Sequence, residues 1–279
     1  MKNAMDLAFH EIIILDSIPE GDLNTADLLF EHLDNSAHEL KNYMEVQYKE
    51  VKSSSEFIEV VNSIRERVLD CGKTPLLHIE CHGSEDGLQF ADGSCLSWLE
   101  MQGPLALLNA STGFNLIVVV AACEGFQILN TIDPKCAAPA WGFIGPTQPV
   151  SPTQILDAYK PFYREIIGYE DPVAALEALR ASTSEKIFST TTTIGLFKKS
   201  WKRLEENYIA GDKLFKWAED LSKKTNDLPV GKEISPEEMD IIILQKLRTY
   251  HEEAWETFFM HKLVPSNTTR FPLEPLVEI

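Results

Sequence analysis

Two apolar runs in this chain end on side chains suited to acid–base and nucleophilic chemistry. "PLLHIECHG" closes on His82-Gly83, and "NLIVVVAACEG" closes on Cys123-Glu124-Gly125. A thiol becomes a nucleophile when a base stands within hydrogen-bond reach, and the attacked carbonyl then needs N–H donors for its developing oxyanion. Histidine exchanges protons near neutral pH, and a glycine beside a strand end lets the backbone turn N–H groups toward a reacting carbonyl. Gly83 and Cys123 are the candidate donors. Taken alone, Cys123 also fits a core position, because cysteine packs as a small hydrophobe, and His82 alone is equally ambiguous. Their joint placement at the ends of two strands of one sheet is what points to a catalytic dyad.

Other reactive side chains fit less well. His78, Glu80 and His82 share one strand face by the two-residue period, a trio with the character of metal ligands but without an evident fourth. No metal and no cofactor is expected, and His78 is expected to pack or hydrogen-bond against the helices. Cys81 points to the opposite face from His82 and reads as core. Cys71, Cys95 and Cys136 have no partner that distinguishes them. Five cysteines without a C-x-x-C spacing fit neither a disulfide framework nor a zinc ribbon.

The elements that must hold these residues alternate between strand and helix, the pattern of a mostly parallel α/β sheet covered on both faces. "EIIILD" reads as the first strand, followed by a Pro-, Gly- and Asp-rich turn and by a helix that starts near Asn24 or Thr25. "YMEVQYKEV" alternates as a strand, "SSEFIEVVNSIRERVLDCG" runs from a Ser cap to a Gly stop, and "PLLHIECHG" follows. A hairpin turning at Asp92-Gly93 and a helix containing Gly103-Pro104 lead to the Cys123 strand. "AWGFIGPTQPV" gives a fifth strand, Asp171-Pro172 parts two helices, and "FSTTTTIGLF" supplies a sixth strand. Residues 84 to 122 are enough for one crossover connection, so His82 and Cys123 can be neighbours at the carboxyl ends, where open α/β sheets place their sites. From about Lys198 the chain turns to charged amphipathic helices, with a break at "TNDLPVGKEISPEE" and a helix start at Ser235-Pro236-Glu237-Glu238. The division is a domain over 1–195 and a helical extension over 196–279.

Composition narrows the function classes. With 25 Lys and Arg against 43 Asp and Glu, the net charge of -18 argues against a nucleic-acid footprint. The densest basic stretch, "FKKSWKR", has the spacing of an exposed helix face. The N-terminal segment lacks the uninterrupted apolar core of a secretory signal, and no run reaches the length of a membrane span, so a cytosolic protein without a membrane partner is expected.

Strand-His-Gly followed by strand-Ala-Cys-x-Gly resembles the signature of the caspase–hemoglobinase fold of cysteine peptidases, and the order of flanking elements is similar to its CHAT branch. The resemblance rests on "LLHIECHG", "NLIVVVAACEG", "APAWGFIGPTQPVS" and "FYREIIGYEDPVAALEALRAS", and covers about Glu11 to Ser182. It implies a caspase-like αβα sandwich and a cysteine endopeptidase in which Cys123 attacks a peptide carbonyl, His82 handles the proton, and the N–H groups of Gly83 and Cys123 form the oxyanion hole. Caspases proper carry Gln-Ala-Cys-x-Gly with a basic residue after the cysteine. Here Ala121-Ala122-Cys123-Glu124-Gly125 stands instead, so cleavage after aspartate is not implied. The Trp common near Gln148 in the branch is absent.

Relatives that cleave after Arg or Lys place a carboxylate after the first strand, which makes Asp16 the candidate substrate-binding residue, with Glu20 and Asp22 competing. The resemblance further implies a protein substrate, an activating or inhibitory protein partner, and, for prokaryotic members, an effector role in antiviral defence or cell death that cuts a neighbouring protein such as a gasdermin-like pore former. Two alternatives stand beside it. One is a catalytically silent binding or scaffold module. The other is a cysteine-elbow hydrolase or glutamine amidotransferase using His251-Glu252-Glu253, although those residues read as the solvated face of a long amphipathic helix.

Overall fold

A parallel strand covered on both sides must be apolar at successive positions and not merely at alternate ones. Glu11–Ser17 (β1), through its apolar run 12–15, and Ile117–Val120 (β6) meet that demand, and both strands are buried throughout. The computed structural model describes residues 9–39, 44–169, 171–182, 187–206 and 236–274. The remaining strands are Glu45–Glu50 (β2), Pro75–Gly83 (β3), Gly87–Gln89 (β4), Cys95–Ser97 (β5), Gly142–Pro146 (β7) and Phe188–Thr192 (β8). The main sheet has the order β2-β1-β3-β6-β7-β8. Its first five strands run parallel and β8 runs antiparallel to β7. The β4–β5 hairpin extends from the end of β3 and turns through Gly93 at φ 86°, a left-handed conformation that glycine adopts without strain.

Helices flank the sheet. Thr25–Glu39 (α1), Pro152–Tyr169 (α4) and Pro172–Ala181 (α5) share one core cluster with Ile12, Ile14, Leu76, Val119 and Ile144. Strand residues of the other parity, among them Ile13, Leu77, Ile79 and Val118, are equally buried, and the apolar faces of Ser54–Cys71 (α2) and Trp98–Ser111 (α3) supply the second layer. Local signals set the boundaries. Asn24 Oδ1 caps α1 by accepting from Asp27 N–H at 2.9 Å. Ser53 caps α2, which stops at Gly72 in a left-handed conformation. Asp171 caps α5 ahead of Pro172, while α3 continues through Gly103-Pro104.

The chain leaves β1 through α1 to β2 on one side, then crosses through α2 to β3 on the other. Open α/β sheets place their sites outside the carboxyl ends of strands at such a reversal, here the ends of β1 and β3.

Residues 133–137 and 194–279 form a second compact unit. It is built on Thr193–Leu204 (α6), Pro236–Phe258 (α7) and the short Asn267–Arg270 (α8). In α6, Phe197 and Trp201 are buried while Lys198, Lys199 and Lys202 are exposed, as the basic stretch predicts. The break expected over 225–234 and its cap at Ser235 lie outside the described residues, as does the segment 1–8.

His251 departs from expectation. Its ring is not on a solvated face but 7% exposed, enclosed by Trp201 at 4.7 Å, Phe197 at 5.5 Å and Trp255 at 5.9 Å. The helical period puts His251, Ala254, Trp255 and Phe258 on the buried stripe and leaves Glu252 and Glu253 exposed. The aromatic partners Phe197 and Trp201 come from another helix, far away in sequence.

Burial lowers the His251 pKa, because the apolar surroundings disfavour the charged ring. The folded state therefore binds this proton less readily than the unfolded chain, and stability falls as pH drops below the ordinary histidine range. We expect thermal unfolding to show a downward slope in Tm between about pH 7 and pH 5 that is shallower in His251→Phe than in the native chain.

Candidate active site

The β3–β6 ladder brings His82 and Cys123 to one place. The register pairs Leu76 with Ile117 and Ile79 with Val120, and each chain runs three residues further to His82 and to Cys123. Leu76, Ile117, Val119 and Ala121 join the α1–α4–α5 core, and the two-residue period of β3 puts His82 on that face, while Cys123 follows β6 in a turn. The strand ends touch at Gly83, where a Cβ would lie 2.1 Å from the Cys123 carbonyl oxygen and 3.0 Å from Ala122 Cβ.

Backbone geometry around the thiol is tightly drawn. Glu124 takes a left-handed conformation at φ 56°, and Gly125 opens a short 3-10 turn, Gly125–Asn130. A Cβ at Gly125 would approach the Val120 carbonyl oxygen to 2.6 Å, so glycine is required for the chain to fold back over the end of β6. Strain of this kind is common beside reacting groups. Ser84 N–H donates to Gly87 O at 2.9 Å, which makes Gly83–Leu88 the non-hydrogen-bonded pair of the hairpin. The Gly83 N–H therefore points away from β4, the direction an oxyanion donor beside Cys123 must have. No backbone carbonyl among the described residues accepts the Cys123 N–H.

The two reactive side chains do not bond to each other. Cys123, half-buried, donates its S–H to Val150 O at 3.6 Å. His82 Nε2 lies 2.9 Å from Asp22 Oδ2, and both side chains are about half exposed at 51% and 52%. Asp22 is thus the carboxylate that meets the imidazole. It is carried by the β1–α1 loop, where Asp22 N–H closes a turn onto Pro19 O across Gly21 at φ 100°.

Asp16 sits elsewhere in this arrangement. It is 5% exposed at the end of β1, with Oδ1 accepting from Ile18 N–H at 2.8 Å and Oδ2 accepting from Asn24 Nδ2 at 2.6 Å and from the Tyr48 hydroxyl. Burial, reinforced by the hydrogen bond to Asp16, pushes the Tyr48 phenol well up, so it remains a donor. Both Asp16 oxygens are occupied by the protein, while Glu20 and Asp22 are the solvent-facing carboxylates of the loop. No family model matches the chain, and no curated protein matches its sequence.

Beneath these strand ends lies a buried polar chain. His78 and Glu80 are fully buried, with His78 Nε2 at 2.8 Å from Glu80 Oε1 and Nδ1 at 2.8 Å from the Tyr163 hydroxyl. Thr25 donates to Glu80 Oε2, and Tyr159 packs edge-on against the His78 ring at 5.0 Å. Burial holds the Tyr163 phenol well above its ordinary value and so keeps its proton. One directional set then satisfies both His78 nitrogens and both Glu80 oxygens: Tyr163 donates to Nδ1, Nε2–H donates to Glu80, and Thr25 donates to the second Glu80 oxygen. His78 hydrogen-bonds a helix, as expected, and among the described residues no group of three His, Cys, Asp or Glu side chains is arranged to hold a metal ion. Cys81 is buried on the opposite face, where burial raises its thiol pKa well beyond the ordinary range.

From sequence, Asp22 stands only as a receptor for a substrate cation and Asn24 and Thr25 only as a helix start, and nothing marks Tyr48, Tyr163 or Val150. The Pro19-Glu20-Gly21-Asp22 turn was visible, but nothing in it separates Glu20 from Asp22 until the loop is set against β3.

The contact at Gly83 is testable by size alone. Gly83→Ala must push the ends of β3 and β6 apart and should lower unfolding free energy by about 1–3 kcal/mol, read by urea denaturation. The same substitution at Gly103, where a Cβ meets nothing within 4 Å, should not destabilise the chain.

Proposed function

We propose that this chain is a cysteine endopeptidase of the caspase–hemoglobinase fold, closest in character to the CHAT branch, with residues 1–195 as its peptidase domain and 196–279 as a helical extension. The observation that carries the reading is the approach of Gly83, next to His82, to the Cys123 backbone at neighbouring carboxyl strand ends. A mostly parallel sheet flanked by helices, with an antiparallel strand at one edge, is consistent with it.

The chemistry follows from the groups present. His82 takes the proton from Cys123, and the sulfur adds to the peptide carbonyl carbon. The resulting oxyanion accepts from the N–H groups of Gly83 and Cys123. Collapse breaks the C–N bond as His82 returns the proton to the leaving amine. Water then adds to the thioester with His82 as base, releasing the new carboxylate and restoring the thiol. Asp22 acts as the third group, orienting the imidazole through its contact with Nε2. Substrate cations would meet Glu20 and Asp22 at these strand ends, whereas Asp16 is engaged within the loop.

The thiol bonded to Val150 O and the imidazole bonded to Asp22 describe a resting arrangement, which supports a latent peptidase awaiting an activating partner. A role as a defence or cell-death effector acting on a neighbouring protein belongs to this proposal. The same resting arrangement favours the second reading, a silent binding module.

Labelling with peptidyl acyloxymethyl ketones bearing Arg, Lys or Asp at the reactive position separates the two. The peptidase reading expects labelling that Cys123→Ala abolishes and His82→Ala reduces by at least about a hundredfold. Arg and Lys probes should outcompete Asp. Labelling that survives in Cys123→Ala sinks the assignment.

A further inference from the structure

Asp16 and Glu80 are direct partners in the β1–β3 ladder, on the same face, and both are buried. Two carboxylates side by side in an apolar layer are costly, since each loses hydration and each repels the other. They persist only if donors surround them. The donors to Asp16 are Ile18 N–H, Asn24 Nδ2 and the Tyr48 hydroxyl, and those to Glu80 are Thr25 Oγ1 and His78 Nε2. Three of the five, Ile18, Asn24 and Thr25, lie at the two ends of one loop, and that loop presents Asp22 to His82.

An aliphatic residue at position 80 would make no such demand on its neighbours. Buried ionic groups of this kind commonly contribute little to stability and act by selecting one geometry. We propose that Glu80, held by His78 and Tyr163, is a positioning residue that clamps Thr25 and so fixes the Asp22 loop against His82. This rests on His82 and Cys123 acting as a dyad, and extends it from the reacting groups to the support that sets their geometry. Asp16 is the second clamp, on the loop's other end. The path runs from α4 through Tyr163, His78 and Glu80 to Thr25, the first residue of α1, then across the loop to Asp22 and the imidazole, each step a direct contact save the two intervening loop residues, Leu23 and Asn24.

The test uses the full chain and iodoacetamide, following alkylation of each cysteine by mass spectrometry. Exposed Cys71, Cys95 and Cys136 serve as reference thiols, and buried Cys81 reports loss of folding. If Asp22 orients His82, Asp22→Asn slows Cys123 alkylation about tenfold, and Thr25→Val, which keeps shape but removes the donor, slows it about threefold to tenfold. Thr25→Ser restores the rate, and Thr25→Val adds nothing in the Asp22→Asn background, because both act through one contact. An unchanged or faster rate in Thr25→Val, effects that multiply in the double variant, or new labelling of Cys81 would each overturn the proposal. Glu80→Gln supplies a second variant judged by the same pattern. Iodoacetamide reads the thiol and not peptide turnover. A chain that follows this order yet reacts with no peptidyl ketone keeps the clamp and loses the peptidase reading, whereas ketone labelling without this order loses the clamp alone.

Discussion

The register between β3 and β6 is the constraint on which the site depends. Parallel pairing fixes which residues stand level with each other, and a slip of one residue would turn His82 to the opposite face. The pairing can approach closely at its open end only because Gly83 offers no Cβ to the Cys123 carbonyl. Glycine is required again at 125 and 145, where the chain folds back over Val120 O within 2.6 and 2.9 Å of where a Cβ would stand. Three glycines thus let β3, β7 and the turn after Cys123 close on the end of β6.

Polar groups below the site complete what the ladder begins. The β1–β3 pairing places Asp16 beside Glu80, and the unfavourable meeting of two buried carboxylates is relieved by donors drawn from the β1–α1 loop and from β2, β3 and α1. The loop is therefore specified by the electrostatic demand of the strands beneath it. Hydrophobic burial on both faces supplies the stability that makes such a costly arrangement tolerable.

The second unit is organised by different means. Phe197, Trp201, Trp255, Phe258, Phe259 and Phe271 form an aromatic core around a buried, neutral-favouring His251. Asn267 ties that core together by donating to Phe259 O at 2.7 Å, and Trp255 Nε1 donates to Phe271 O at 3.1 Å. Its one histidine inside the aromatic shell is a packing element, which removes the support for using it as the base of an amidotransferase.

Much of this was legible from the chain. Continuous apolar runs distinguish doubly covered strands, a Ser-rich start and a Gly stop bound α2, Asp171-Pro172 marks the start of α5, and a glycine after each reactive residue marks where the backbone must turn. These are local properties, determined by neighbours within a few positions. What only the tertiary structure decided is pairwise and distant: that Asp22 rather than Asp16 meets His82, that Glu80 receives Thr25, and that His251 lies inward. Sequence reports the period of a strand or helix but not which element covers a given face. The fate of each acidic side chain therefore depended on the ladder register and on donors that folding brings from elsewhere in the chain.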